Sequence, residues 1–418
     1  MQFSRMFFSF ALALCLAWLG CDSADSDPTP DVFPFNPDTL DFSTIESFDY
    51  GDYVQPLLAY RNIFGVDEDD PLDRLNDYSW DALFGENNGA HGTIIPFSAD
   101  LSLLILCADG RCADPDAAFS NLETLQDDEV DFLRGWIEDG AKSLSDTIPF
   151  SDAEALIYVC NQMANRVAIV DAERMQVIRY VDMMALGEGM MTKPHHTAVE
   201  PDGSAWYVNL IDGDGGTPGG SILKLSTDLN MDPSNPSYVI SREVPDGTET
   251  FTTPGMMWLD GTSDRLIVGR SFAAPATSTG IASVNREDMQ ITEYATLDVM
   301  HPHAIGVSTN GRWILTGSLD GNNRIIVLDA ETGDLVDQLN ITGVHQAFVQ
   351  FGVSPDGTTV VVTSQLAAKV LFFTLDAETG DLEPDGEVAT GEQPWHPIFS
   401  PDGATLYIPN RFGHSVTV

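Results

Sequence analysis

Four stretches of this chain align on one another: HTAVEPDGSAWYVN, IGVSTNGRWILTGS, FGVSPDGTTVVVTS and HPIFSPDGATLYIPN. Each reads as an apolar strand, a tight polar turn and a second strand. The turns contain Asp-Gly or Asn-Gly, residues able to take the positive φ that tight hairpins need. The turn glycines Gly203, Gly261, Gly311, Gly357 and Gly403 recur at intervals of 58, 50, 46 and 46 residues, the length of a four-stranded blade. Third and fourth strands follow in NNRIIVLDAETGDLVDQL and AKVLFFTLDAETGDLEPDGEV, joined by the polar hairpin DAETGDL. Short strands at even spacing with such turns predict a β-propeller over residues 148–418. Six units can be counted, and RFGHSVTV falls partway through the third strand of the last. Ring closure then predicts a seven-bladed propeller, truncated at its C-terminus with an incomplete last blade. The alternative is a shorter ring closed by another segment. An open hydrophobic edge would be an aggregation hazard.

The segment YVCNQMANRVAIVDAERMQVIRYV closely resembles the repeat of the YVTN propeller family, related to the cytochrome D1-like (haem-d1 nitrite reductase) and nitrous oxide reductase propellers. The resemblance covers about 270 residues. It implies the fold. It does not imply one function, because propellers host many activities.

Aligning the turn glycines places His196 and His396 at one blade position and His195 and His303 at the position before it. His301 lies two residues further back, and His345 somewhat earlier in its own blade. Six of the eight histidines therefore precede inner strands at one mouth of the ring. Met190, Met191 and Met256 lie in corresponding entry segments. Neutral imidazoles with thioethers nearby suit a soft or borderline metal such as copper. The candidate metal set is His195, His196, His301, His303, His345 and His396. The resemblance to nitrous oxide reductase, which holds copper on funnel histidines and shares His-Pro-His strings like that at 301–303, implies the same. Two alternatives stay open: scaffold histidines that bind water and backbone, and a haem-like or small-molecule ligand in the funnel.

Other chemistry is sparse. No nucleophile elbow, phosphate loop or HExxH occurs, and no acid–base pair stands out for a hydrolase or lactonase. No catalytic residue is assigned. The run DGDGG at 212–216 reads as a Ca²⁺ loop or a solvated Gly/Asp loop.

Residues 48–145 have a different period. In LQDDEVDFLRGWIEDGAKS, Val130, Leu133, Trp136 and Ile137 recur at helical spacing, with Asp127 as the expected cap and Gly140 as the stop. YVQPLL, SWDALFGENNGAHGTIIPFSADLSLLI and LQDDEVDFLRGWIEDGAK resemble, in order, the cytochrome c domains of planctomycete-type envelope proteins. That resemblance implies a small all-α, haem-binding, electron-transfer domain. The chain departs from it where it matters. LLAYRNIFGV stands in place of Cys-x-x-Cys-His, that motif occurs nowhere, and residues 48–143 contain no Met. His91 is the one histidine in that segment. Covalent haem needs both thiols and the histidine ligand. The expected class is therefore multidomain: an all-α cytochrome c-like domain without covalent haem, then the all-β propeller.

The first residues, MQFSRMFFSFALALCLAWLGCDSADSD, have the layout of a secretory signal over 1–20. Gly20-Cys21 resembles a bacterial lipobox, which implies a lipid on Cys21 and a lipid-anchored place in the cell envelope, periplasmic or at the cell surface. Residues 21–47 read as an acidic tether. Cys107 and Cys112 read as a disulfide, or as half a metal site, and Cys160 as a lone buried thiol.

The chain has 418 residues, with 64 Asp and Glu against 19 Lys and Arg, a net charge of −45. Such a field repels nucleic acid and anionic lipid surfaces. Yet 43% of residues are hydrophobic, so the chain folds. Only four residues are Lys, and the carboxylate-rich balance suits a high-salt medium, hence a halophilic source or an acidic secreted protein. Two function classes result. One is a binding or scaffold protein that uses its funnel mouth on an envelope protein or small ligand. The other is a redox protein with copper or a haem-like cofactor at the propeller histidines.

Overall fold

A computed structural model describes residues 35–67, 71–84, 93–113, 119–216, 220–243, 251, 253–270, 280–295, 299, 301–319 and 322–418. Residues 1–34, with the signal and Cys21, and the loop with His91 lie outside them.

Six antiparallel sheets follow one another along the chain. Blade one contains β1 (Leu156–Asn161), β2 (Arg166–Asp171) and β3 (Gln176–Asp182). Blade two runs β4 (Pro194–Val199), β5 (Ala205–Leu210), β6 (Ile222–Ser226) and β7 (Val239–Arg242). Blade three runs β8 (Pro254–Leu259), β9 (Arg265–Arg270), β10 (Gly280–Asn285) and β11 (Ile291–Ala295). Blade four runs β12 (Pro302–Val307), β13 (Trp313–Ser318), β14 (Arg324–Asp329) and β15 (Leu335–Asn340). Blade five runs β16 (Phe348–Val353), β17 (Thr359–Ser364), β18 (Lys369–Leu375) and β19 (Leu382–Ala389). Blade six contains β20 (Ile398–Phe399), β21 (Leu406–Asn410) and β22 (Ser415–Thr417). The expectation of seven blades is thus corrected to six, one for each unit legible in the sequence.

The turns after the inner strands share one mechanism. Ser308, Ser354 and Ser400 each donate a side-chain hydrogen bond to the residue two further on, Asn310, Asp356 or Asp402. The glycine that follows adopts φ near 70°, as at Gly311 and Gly357. A Cβ at Gly311 would overlap Thr262, so the turn also needs the missing side chain. Gly261 departs from this pattern: its φ is not positive, and Asp260 organises the turn by accepting from Thr262 and Ser263.

Side chains alternate across each strand, so each blade buries one face against each neighbour. Tyr207 and Ile222 of blade two pack with Met257 and Leu266 of blade three. Ile267 and Ile281 meet Ile305 and Ile314, and Leu315 and Val327 meet Phe348 and Phe351. Ile408 of blade six packs on Val361 and Val370. Each fully buried aliphatic side chain contributes roughly 1.5–3 kcal/mol.

The N-terminal helices form a layer against blades one and two. They are α1 (Gln55–Arg61), α2 (Pro71–Arg74), α3 (Trp80–Phe84), α4 (Leu103–Ala108) and α5 (Asp127–Glu138). The α5 cap is Gln126, one residue before the expected Asp127: Gln126 and Glu129 form a capping box, and Glu129 also pairs with Arg61 at 2.7 Å. Leu57, Leu58, Leu133 and Trp136 fill the interior and join one buried cluster with Val167, Ile178 and Trp206. Cys107 and Cys112 are joined by a disulfide. Arg179 ties the layers together, donating to the carbonyls of Pro149 at 2.9 Å and Leu229 at 2.7 Å. Among the described residues no helix is long and apolar enough to cross a membrane.

Candidate functional site

The inner strands share an irregularity that builds the site. The β4–β5 register slips between Pro194 and His196, so His195 has no partner opposite it. Equivalent slips fall between Pro302 and Ala304 and between Phe348 and Phe351. A bulge places two consecutive residues opposite one and re-aims their side chains. Here it turns both His195 and His196 toward the channel. The backbone N–H of His196 donates to Asn209 Oδ1 at 2.8 Å, and the Asn209 amide donates onward to the carbonyl of Gly255, fixing the bulge to blade three.

Four histidines from three blades meet there. His195 and His303 have ring centroids 5.5 Å apart, and His196 and His396 5.4 Å apart. The hydrogen bonds fix the tautomers of the first pair. His303 Nδ1 lies 2.8 Å from the carbonyl of Val349, which only accepts, so Nδ1 carries the proton. In a neutral ring Nε2 is then the acceptor. His195 Nε2, 3.3 Å away, must donate to it. His195 Nδ1 in turn accepts from the Gln162 amide. The result is a directed chain from Gln162 through His195 and His303 to Val349.

Neutrality follows from the surroundings. Burial, with a smaller effect from the neighbouring ring of His303, lowers the His196 pKa to about 4. Burial lowers His303 to about 4 against the opposing bond to Val349. Burial and then the adjacent rings hold His195 and His396 well below the ordinary imidazole value. The same desolvation pushes the Cys160 thiol up to about 12, which keeps it protonated.

These rings line a cavity of about 1010 Å³ that runs from blade one to blade six. His196 and His396 also line a second cavity of about 510 Å³ and so stand at the constriction between the two. Among the described residues no carboxylate lines the larger cavity: its polar lining includes His, Asn, Gln, Ser, Thr, Tyr158 and Trp395, with Arg411 as its charged residue. This sets it apart from a chain with 64 acidic residues.

The six candidate histidines do not converge as a set. His301 is buried beside the bulge and does not line the cavity, and His345 is exposed. Met190 and Met191 are exposed, and Met256 lies in the core. Among the described residues, no group of three or more His, Cys, Asp or Glu is placed to hold a metal. His196 Nδ1 and His396 Nε2 are the buried ring nitrogens of the tetrad that have no hydrogen-bond partner. In the DGDGG loop, Asp212 pairs with Lys193 at 2.5 Å and Asp214 accepts from the Met190 N–H at 2.8 Å. Gln162, Trp395 and Arg411 belong to the site and went unnoticed in the sequence. Gln162 and Arg411 directly follow second strands, at the blade corner facing the inner-strand histidines.

The sheets and the channel define a six-bladed β-propeller with a histidine-lined mouth. Neither a protein-family model nor a curated protein matches the chain. Among solved structures it is similar to Kuenenia stuttgartiensis hydrazine synthase, at 15% identity and a TM-score of 0.42, covering 64% of this chain and 92% of that one. It is also similar to a chain of the mitotic checkpoint complex, at 12% identity and a TM-score of 0.46, covering 60% of this chain and 69% of that one. At these values the fold is defined by the chain's own six sheets.

Proposed function

We propose that the protein is a binding protein whose recognition face is the channel mouth, with no catalytic role for its residues. The carrying observation is the carboxylate-free cavity of about 1010 Å³ in a chain of net charge −45. The exterior field repels anions, while the cavity offers neutral imidazoles, amides, an indole face and the guanidinium of Arg411. That combination suits a neutral ligand with hydrogen-bond acceptors, or a polypeptide segment, because the exterior field opposes an anion and Arg411 opposes a cation. The helical layer serves as a structural buttress for blades one and two, a cytochrome c-like unit without covalent haem. A lipid on Cys21 would hold the mouth at an envelope surface. The test is a thermal-shift screen of neutral, cationic and anionic small molecules. Stabilisation by a neutral compound, lost when Gln162→Trp fills the cavity, supports the reading. Stabilisation by charged compounds alone, or equal stabilisation of wild type and variant, contradicts it.

A second reading is redox, with copper at the mouth. It is favoured by the unpartnered nitrogens of His196 and His396, two neutral imidazoles whose rings stand side by side. The tetrad as arranged supplies two ligands, because His195 and His303 spend their nitrogens on the directed chain. Copper would supply one-electron chemistry, and these residues would hold the ion. Stoichiometric copper lost in a His196→Ala/His396→Ala variant supports this. Absence of copper uptake by the wild type contradicts it.

A further inference from the structure

Two cavities stack along the channel, and they differ in chemistry. His196, Thr197 and His396 line both. On one side lies the larger cavity of about 1010 Å³, with His195, His303 and Arg411. On the other lies the inner cavity of about 510 Å³, lined by Met257, Leu259, Phe351, Val353 and Phe399. Gln350 and Ser400 in the inner cavity are turned to the protein itself. Gln350 Oε1 accepts from the Ile305 N–H at 3.0 Å, and the Ser400 hydroxyl donates to Asp402 at 2.6 Å. The inner cavity is built by β4, β8, β16 and β20 and the residues that adjoin them. No residue of blade one and none beyond Pro401 takes part in its lining.

The two histidine pairs are held differently. His195 and His303 are pinned by the directed chain from Gln162 to Val349. His196 and His396 stand at the constriction with ring centroids 5.4 Å apart, and their Nδ1 and Nε2 respectively are buried without a partner. Neither ring therefore breaks a hydrogen bond at these atoms when it turns toward a guest. A neutral imidazole offers one donor and one acceptor. A buried polar group without a partner is costly, and a bound group that supplies the missing bond removes that cost.

We propose that the ligand is a small neutral amphiphile whose polar head lies between His196 and His396 and whose apolar tail fills the inner cavity. This rests on the binding reading and adds the shape and chemistry of the ligand. The head both donates and accepts, as a secondary amide does, because each neutral imidazole it meets has one donor and one acceptor. It is uncharged, because the field of a chain of net charge −45 opposes an anion and Arg411 in the larger cavity opposes a cation. The tail is apolar, because contact with Met257, Leu259, Phe351 and Phe399 removes its surface from water.

The probes are N-butyl-, N-hexyl- and N-octylacetamide, with N-methylacetamide as the tailless control and hexylammonium and hexanoate as the charged ones. Isothermal titration should show one-to-one binding that tightens about fourfold for each added CH₂. The gain should vanish in Val199→Trp, which fills the inner cavity from a position that is 42% exposed. An unchanged melting temperature in that variant confirms that it folds. In the wild type, the Met257 methyl signal should shift with the octyl probe and stay fixed with N-methylacetamide. Affinity independent of tail length, tighter binding of a charged probe, or a fixed Met257 signal at saturation with the octyl probe would each overturn the proposal. So would no binding of any probe, as when a polypeptide segment fills the cavity. If tail length has no effect while stabilisation by neutral compounds sensitive to Gln162→Trp persists, the amphiphile is excluded and the binding reading survives.

Discussion

His195 Nε2 sits 3.3 Å from His303 Nε2, across the channel from a different blade. Two neutral imidazoles at that distance cannot both donate or both accept. The carbonyl of Val349 on the far side of His303 decides which does which. We expect long-range ¹H–¹⁵N spectra to show His303 protonated on Nδ1 and His195 on Nε2. In Gln162→Ala, His303 still holds His195 protonated on Nε2, and the His195 Nδ1 signal, having lost its donor, should shift while the tautomer stays the same. Uniform Nε2–H tautomers at both histidines would contradict the chain.

Depressed histidine pKa values make stability depend on pH. Below about pH 6.5, unfolded histidines take up protons while the buried ones, with His196 and His303 at about 4, do not. Protons then favour the unfolded state, so stability falls as pH drops from about 6.5 toward 4, by at most about 1.4 kcal/mol per pH unit for each group. Urea midpoints at pH 7.5, 6.5 and 5.5 should decline, and the decline should shrink in His196→Phe/His396→Phe. A steeper decline in that variant would assign the effect to other groups.

Arg179 is buried, and desolvation lowers its pKa to about 10, which leaves it charged at neutral pH. It donates to three backbone carbonyls and lies 5.5 Å from the Phe97 ring, linking the helical layer to blades one and two. Arg179→Ala strands those acceptors and should cost about 3 kcal/mol in chemical denaturation. A loss under about 1 kcal/mol would show that the layers cohere without it.

The acid excess predicts a salt response. Screening shortens the reach of repulsion among surface carboxylates, with a Debye length of about 10 Å at 0.1 M and about 3 Å at 1 M. The melting temperature should rise between 0.1 M and 2 M KCl. A flat or falling curve would contradict a surface suited to high salt.

The blades were legible because Ser-x-Asp-Gly turns such as that of Ser354, Asp356 and Gly357 recur at fixed spacing. The same alignment placed His196 opposite His396 and His195 level with His303. It could not show the bulge, which is a register slip between two strands and leaves no mark in a single-strand pattern. Without it, His301 and His345, offset from the other four in the alignment, were still grouped with them, yet one is buried beside the bulge and the other is exposed. Gln162 and Arg411 were missed because their turn adjoins the inner-strand histidines only once the sheet is formed.

Recognition at the histidine-lined mouth is read most clearly from imidazole ¹H–¹⁵N correlations followed during titration with a stabilising ligand. His195, His196, His303 and His396 should shift together while exposed His345 stays fixed. Movement of His345 with the four channel signals unchanged would contradict recognition at the mouth.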